Sequence, residues 1–193
     1  MYKNLLIIGP SRSGKTTLSK LICEQFNCNS VNLNDFQETF EKTFPNTEEY
    51  NEYLKQFMIN YIAQLTDYKT FYSGRKTIIE CNVPFIYDII KNVDQDNTAI
   101  IGITYDNIDI DYFAGKIKYS ETSDYLQFLP EDSLKSKLQS FVEESKEMTL
   151  LLSSLDINIY DVSNNREEVF NEILNDVDEL TKYGSTYKVK KIK

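Results

Sequence analysis

Residues 4–16 constrain this chain more than any other stretch. Asn4–Ile8 is a continuous apolar run closed by Gly9-Pro10, which reads as a buried strand. From Lys15 to Phe26, apolar Leu18, Leu21, Ile22 and Phe26 recur at the spacing of one helix face. Between them lies Gly9-Pro10-Ser11-Arg12-Ser13-Gly14-Lys15-Thr16, which matches G-x-x-x-x-G-K-[ST], the Walker A pattern, at every fixed position. A strand, a glycine-bounded turn and a helix in this order predict an α/β chain whose turn wraps an anion.

Each residue type in the loop has a physical reason. Gly9 lets the backbone turn tightly at the strand end, and Gly14 leaves room for a phosphate to approach where a Cβ would intrude. The backbone N–H groups from Ser11 to Thr16 converge on an anion, and the helix starting near Lys15 adds its positive end. Lys15 reaches the β- and γ-phosphates, and the Thr16 hydroxyl is able to ligate Mg²⁺. Thr17 completes the candidate set, with local packing as its competing role. Arg12 either meets a transferring phosphoryl group or points to solvent. The pattern predicts a nucleoside triphosphate site, with ATP and Mg²⁺ as cofactors.

Composition narrows the chemistry further. The chain of 193 residues has no histidine, and its three cysteines (23, 28 and 81) have no metal-ligand spacing. That argues against a disulfide framework, a His-containing zinc site and His-based acid–base catalysis. A net charge of -9 argues against nucleic acid as a partner, because duplex binding rests on neutralising phosphates. Five lysines after residue 181 form a basic tail (182–193) that either contacts an anion or is simply solvated. No stretch of 18 apolar residues is present, and the run at 5–8 follows Met1 without the length of a signal peptide, so a cytoplasmic protein without membrane contact is expected.

Strands and helices alternate along the whole length. Further strands are expected at 30–34, 77–81, 98–104 and 157–162. Helices are expected over most of 36–73 with a break near Phe44-Pro45, then at 85–91, from 130 to about 152, and after a capping box of Asn164 and Glu167. This alternation predicts a three-layer α-β-α sandwich on a five-stranded parallel sheet, in one domain spanning 1–193. Residues 105–129 show no stable period and are expected to be irregular. In such sheets ligands sit beyond the carboxyl ends of the strands, so the inserts at about 36–73 and 105–129 become candidate acceptor-binding and lid elements.

Other candidates follow from position. Glu80, near the tip of an otherwise apolar strand, either holds a magnesium-bound water beside Thr16 or is an edge-exposed glutamate. Asp35, after the second strand, either orients or deprotonates an acceptor hydroxyl, binds a cationic substrate group, or caps a helix. Only three arginines are present, so Arg75 and Arg166 are weighed as phosphate partners. Arg166 lies at the favourable sheet edge. Lys116 and Lys118 are the cations available to a closing lid, and Tyr105, Tyr112, Tyr119 and Tyr125 either stack on substrate or pack the insert down.

The phosphate loop, Asp35, Glu80 and the segment YDVSNNREEVFNEIL (160–174) together resemble the small-molecule and nucleotide kinase branch of P-loop proteins. The likeness extends to adenylate-kinase-like bacterial proteins of unassigned substrate, some labelled topology-modulation proteins. The resemblance implies the strand order 2-3-1-4-5, an acceptor insert after strand two, a lid after strand four, and adenine contacts around Asn164, Asn165 and Arg166. It also implies that Lys15 stabilises the migrating phosphoryl group. Two departures stand out: residues 105–129 contain no arginine, and Glu80-Cys81 replaces the Asp-Gly pair common at that strand end. They point away from adenylate kinase itself and leave the acceptor open. The expected function is an ATP-dependent kinase, acting as monomer or homodimer on a small metabolite, nucleoside or nucleotide. The alternative is a regulatory nucleotide-binding protein with weak or no ATPase activity.

Overall fold

The structure, a computed structural model, describes residues 4–44, 50–67, 77–120 and 125–182. Arg75, residues 183–193 of the basic tail and parts of the 36–73 insert lie outside the described residues. Five parallel strands, β1 (Asn4–Ile8), β2 (Asn29–Asn32), β3 (Thr77–Cys81), β4 (Thr98–Thr104) and β5 (Asn158–Asp161), pair in the order β2-β3-β1-β4-β5. This is the order that the family resemblance implies. The three central strands are buried along their whole length, which is why they read as unbroken apolar runs. The edge strands NSVN and NIYD bury less and carry more polar residues.

Alternate strand residues face opposite layers. Leu5, Ile7, Ile78, Ile101 and Ile103 pack with helices α1 (Lys15–Phe26), α5 (Ile110–Lys118) and α7 (Arg166–Lys182). Leu6, Ile8, Ile79, Cys81 and Ile100 pack with α2 (Leu33–Thr43), α3 (Tyr50–Thr66) and α4 (Ile86–Asn92). The long helix α6 (Glu131–Ser154) serves both cores: Leu134, Leu138 and Phe141 join the first, and Met148 and Leu152 the second. The cysteines are free thiols, with Cys28 Sγ 2.9 Å from Cys23 Sγ. Among the described residues, no helix is long and apolar enough to cross a membrane.

Three local expectations change. Residues 105–129 are not irregular throughout. Asp109 caps α5 by accepting from the Tyr112 N–H at 2.7 Å, and a 3-10 turn follows at Tyr125–Phe128. Ile110, Phe113, Ala114 and Ile117 are spaced as a helix face requires, and the last three are buried. The capping box of α7 lies one residue later than expected: the Glu168 N–H donates to Asn165 Oδ1, and Asn165 Nδ2 donates to Glu168 Oε2. Finally, β2 ends at Asn32, whose side chain caps α2 by accepting from the Asn34 N–H.

Candidate functional site

The loop 9–14 leaves the centre of the sheet, and its shape follows from its glycines. A Cβ on Gly9 would lie 2.4 Å from the Ile103 carbonyl oxygen and 2.7 Å from Ser13 Oγ, so only glycine fits between β4 and the loop. Ser13 N–H donates to the Pro10 carbonyl, with Arg12 left-handed between them at φ 69°. Gly14 is also left-handed at φ 94°, and a Cβ there would meet the Phe170 ring of α7 at 2.8 Å. The Ser13 hydroxyl turns inward and is buried without a hydrogen-bond partner, so Ser13 can offer a ligand its backbone only. No side chain caps the amino end of α1. The first-turn N–H groups of Lys15, Thr16 and Thr17 have no intrahelical acceptor, which is the donor set that holds an anion at a helix start.

Lys15 is 9% exposed. Its Nζ donates to the Gly9 and Pro10 carbonyl oxygens, each at 2.8 Å. Burial pushes its pKa down to about 8, opposed by the nearby Cys81, Glu80 and Glu144. The lysine thus sits folded onto its own loop as a desolvated ammonium. Beside it, Thr16 Oγ1 donates to Glu80 Oε2 at 2.6 Å. Glu80 is 3% exposed, so it is not an edge-exposed glutamate; it is buried beside the loop, where it accepts from Thr16. These two oxygens are of the kind Mg²⁺ takes, and a site of this type is completed by phosphate oxygens and water. Among the described residues no group of three or more His, Cys, Asp or Glu forms a self-sufficient metal site. Burial raises the Cys81 thiol to about 11, so it stays protonated and is no nucleophile.

Four residues that were not singled out for this purpose complete the setting. Asn82, directly after β3, is oriented by its network so that its Oδ1 accepts from Ser11 N (3.1 Å) and Oγ (3.2 Å). Its Nδ2 then donates to the Gly9 carbonyl and to Glu144 Oε1, both at 3.1 Å. Asn34 at the start of α2 exchanges hydrogen bonds with the Asn82 backbone. Tyr105, fully buried, donates its hydroxyl to the Ser11 carbonyl, so it packs the loop and leaves no face for substrate. Sequence reading had no signal for Glu144, because a carboxylate on a long amphipathic helix looks like any solvated residue.

The other predicted residues fall at varying distances from this centre. Arg166 begins α7 and donates to the Arg12 carbonyl at 3.2 Å, flanking the loop. Asn165 is engaged in the α7 cap. Thr17 is exposed on α1. Asp35 lies in the first turn of α2, exposed, and accepts from the Asn32 side chain at 3.2 Å. Tyr112, Tyr119 and Tyr125 are exposed, and Lys116 lies over the Tyr112 ring.

A cleft of about 490 Å³ opens beside the loop, between residues 82–88 and α6. Asn82 and Glu144 form the end nearest the loop, and Asp35 is not among the lining residues. Apolar walls come from Val83, Phe85, Met148 and Leu151.

No protein-family model matches the sequence, and no curated protein does. Solved structures do match. A shikimate kinase from Bacteroides thetaiotaomicron is 15% identical, with a TM-score of 0.56 over 92% of this chain and 97% of its own. A gluconokinase from Sinorhizobium meliloti is 13% identical, with a TM-score of 0.55 over 95% and 97%. A sugar kinase from Janibacter is 18% identical, with a TM-score of 0.53 over 92% and 95%. The described fold, with its five-stranded parallel sheet in the order β2-β3-β1-β4-β5 and a glycine-bounded loop after β1, is similar to the fold of these kinase structures.

Proposed function

We propose that this chain is an ATP-dependent kinase that transfers the γ-phosphoryl group to a hydroxyl of a small molecule seated in the cleft between residues 82–88 and α6. The observation that carries this reading is the position of Asn82. One side chain touches both the phosphate loop and the cleft wall, so an anion held by the first neighbours a molecule held by the second.

The turn that closes the loop at Gly14 and the first-turn amides of Lys15, Thr16 and Thr17 hold the phosphates, and Lys15 supplies the buried positive charge. Thr16 and Glu80 are the residues that would hold Mg²⁺, which when bound neutralises charge on the phosphate oxygens. Arg166 flanks the nucleotide from the start of α7, and Arg12, exposed in the loop, adds a second guanidinium close by. Asn165 acts through the cap that fixes α7. Glu144 is the carboxylate on the cleft wall nearest the loop. It accepts a hydrogen bond from the acceptor hydroxyl and orients that oxygen toward the phosphate end. Asp35 is a positioning residue at the head of α2, the helix tied to Asn82 through Asn34.

Incubation with ATP, Mg²⁺ and a panel of hydroxyl-bearing metabolites, with ADP and phosphorylated product read by mass spectrometry, tests this. ADP formation that depends on one class of acceptor is the expected result. Tight ATP binding with the same slow hydrolysis under every acceptor would favour a regulatory nucleotide-binding protein instead.

A further inference from the structure

The cleft that the proposed kinase reading assigns to the acceptor has a charge pattern that selects among acceptors. Its volume of about 490 Å³ falls within the range of ordinary small-molecule sites, about 300–1,000 Å³. Its charged lining consists of three carboxylates, Asp88, Glu144 and Glu147, and no lysine or arginine of the described residues lines it. The three are not equivalent. Asp88 is neutralised by Lys55 at 2.9 Å, outside the lining. Glu144 accepts from Asn82 at the loop end. Glu147 makes no ion pair among the described residues and stands one helical turn further along α6. Two further cations lie close to lining residues: Lys15 of the phosphate loop, near enough to Glu144 to feel its charge, and Lys91, placed over the Tyr87 ring at 4.3 Å.

Lys15 offsets Glu144 at the loop end, but an anionic acceptor reaching along the cleft would have to lie against Glu147 with no lysine or arginine in the lining to face it, which like-charge repulsion opposes. A protonated amine would instead pair with Glu147 while its apolar carbons cover Met148 and Leu151. We propose that the acceptor is a cationic hydroxyl compound, an amino alcohol or amino sugar, whose ammonium is bound by Glu147 and whose hydroxyl faces Glu144 and the phosphate loop. This rests on the kinase reading for the transfer itself, but the charge selection is a property of the cleft alone.

The test is therefore made without nucleotide. Glucosamine, glucose and gluconate are matched in size and differ in charge. Each is titrated calorimetrically into the full chain in mildly acidic solution, alongside serinol, glycerol and glycerate as a smaller set. In at least one set the cationic member is expected to bind about tenfold more tightly than its neutral counterpart, the scale of one charge-assisted hydrogen bond, and the anionic member most weakly. Glu147→Gln is expected to reduce that preference to about twofold while MgATP affinity, titrated separately, stays unchanged. Equal binding across charges in both sets, tighter binding of an anion, or a preference that survives in Glu147→Gln overturns the proposal. Failure of MgATP to bind while the amine preference holds would overturn the kinase reading and leave this inference standing.

Discussion

Thr16 Oγ1 and Glu80 Oε2 lie 2.6 Å apart, joining the first turn of α1 to the end of β3 across the central strand. Neither residue is near the other in sequence. Their meeting is a consequence of β3 pairing beside β1, with Glu80 in register with Ile7, two residues before Gly9 opens the loop. A buried carboxylate next to a hydroxyl at a helix start is costly unless something positive joins them.

Glu80→Gln tests what that pair is for. The amide oxygen still accepts from Thr16, so the melting temperature is expected to stay close to that of the unaltered protein. Magnesium dependence should change instead: the metal concentration supporting half-maximal nucleotide binding is expected to rise by about tenfold, because a neutral amide is a poorer partner for a hard cation. Unchanged magnesium dependence would show that Glu80 has only a structural role.

Lys15 makes a prediction in pH. The unfolded lysine holds its proton to about 10.5 and the folded one to about 8. Between those values the unfolded chain binds more protons, so raising pH favours the fold. Below pH 8 the charged, buried amine destabilises the protein by up to about 3 kcal/mol, the shift converted at ~1.36 kcal/mol per unit. Lys15→Met is therefore expected to be more stable than the unaltered chain at neutral pH, with the difference shrinking as pH rises from 8 toward 10.5. Denaturant unfolding at a series of pH values checks both the sign and the window. Over the same range, affinity for MgATP should decline as the free protein loses this charge.

Gly9→Ala separates the loop from the helix that follows it. The added methyl would meet the Ile103 carbonyl at 2.4 Å, and backbone cannot yield as a flexible side chain does. A loss of about 1–3 kcal/mol is expected from overpacking, with a larger relative loss of nucleotide binding as the loop is pushed out of shape. Chemical denaturation and a nucleotide titration on the same protein measure the two effects side by side.

The role of α5 is decided by hydrogen exchange. Phe113, Ala114 and Ile117 are in the core, and Lys135 of α6 pairs with Asp111 at 2.7 Å. Amides of 113–118 are expected to exchange slowly with and without ligand, as a fixed wall would, and Phe113→Ala is expected to cost about 3 kcal/mol. Exchange that is fast in the free protein and slow only with ATP and acceptor would support a moving lid instead.

The sequence was most legible where local chemistry and fold agree. Apolar central strands, the glycine-bounded loop and the α1 face could all be read because each signal is contained within a dozen residues. The α5 face was obscured because only four apolar positions carry it, among aspartates and tyrosines that suggest a loop. The α7 cap was misplaced by one residue because Asn164 and Asn165 are both followed by a glutamate at the required distance, and only the helix start distinguishes them. Asn82 and Glu144 carried no local signal at all. They matter because the turn after β3 and the third turn of α6 from its carboxyl end meet over the loop, a relationship that exists only in the packed chain.

Calorimetric titration of MgATP into the intact protein and into Lys15→Ala tests the central claim most directly. The account predicts one site per chain for the intact protein and at least about tenfold weaker binding when the buried ammonium is removed. Equal affinity in the two proteins, or no binding to the intact chain, would contradict the assignment of residues 9–16 as the site of the nucleotide phosphates.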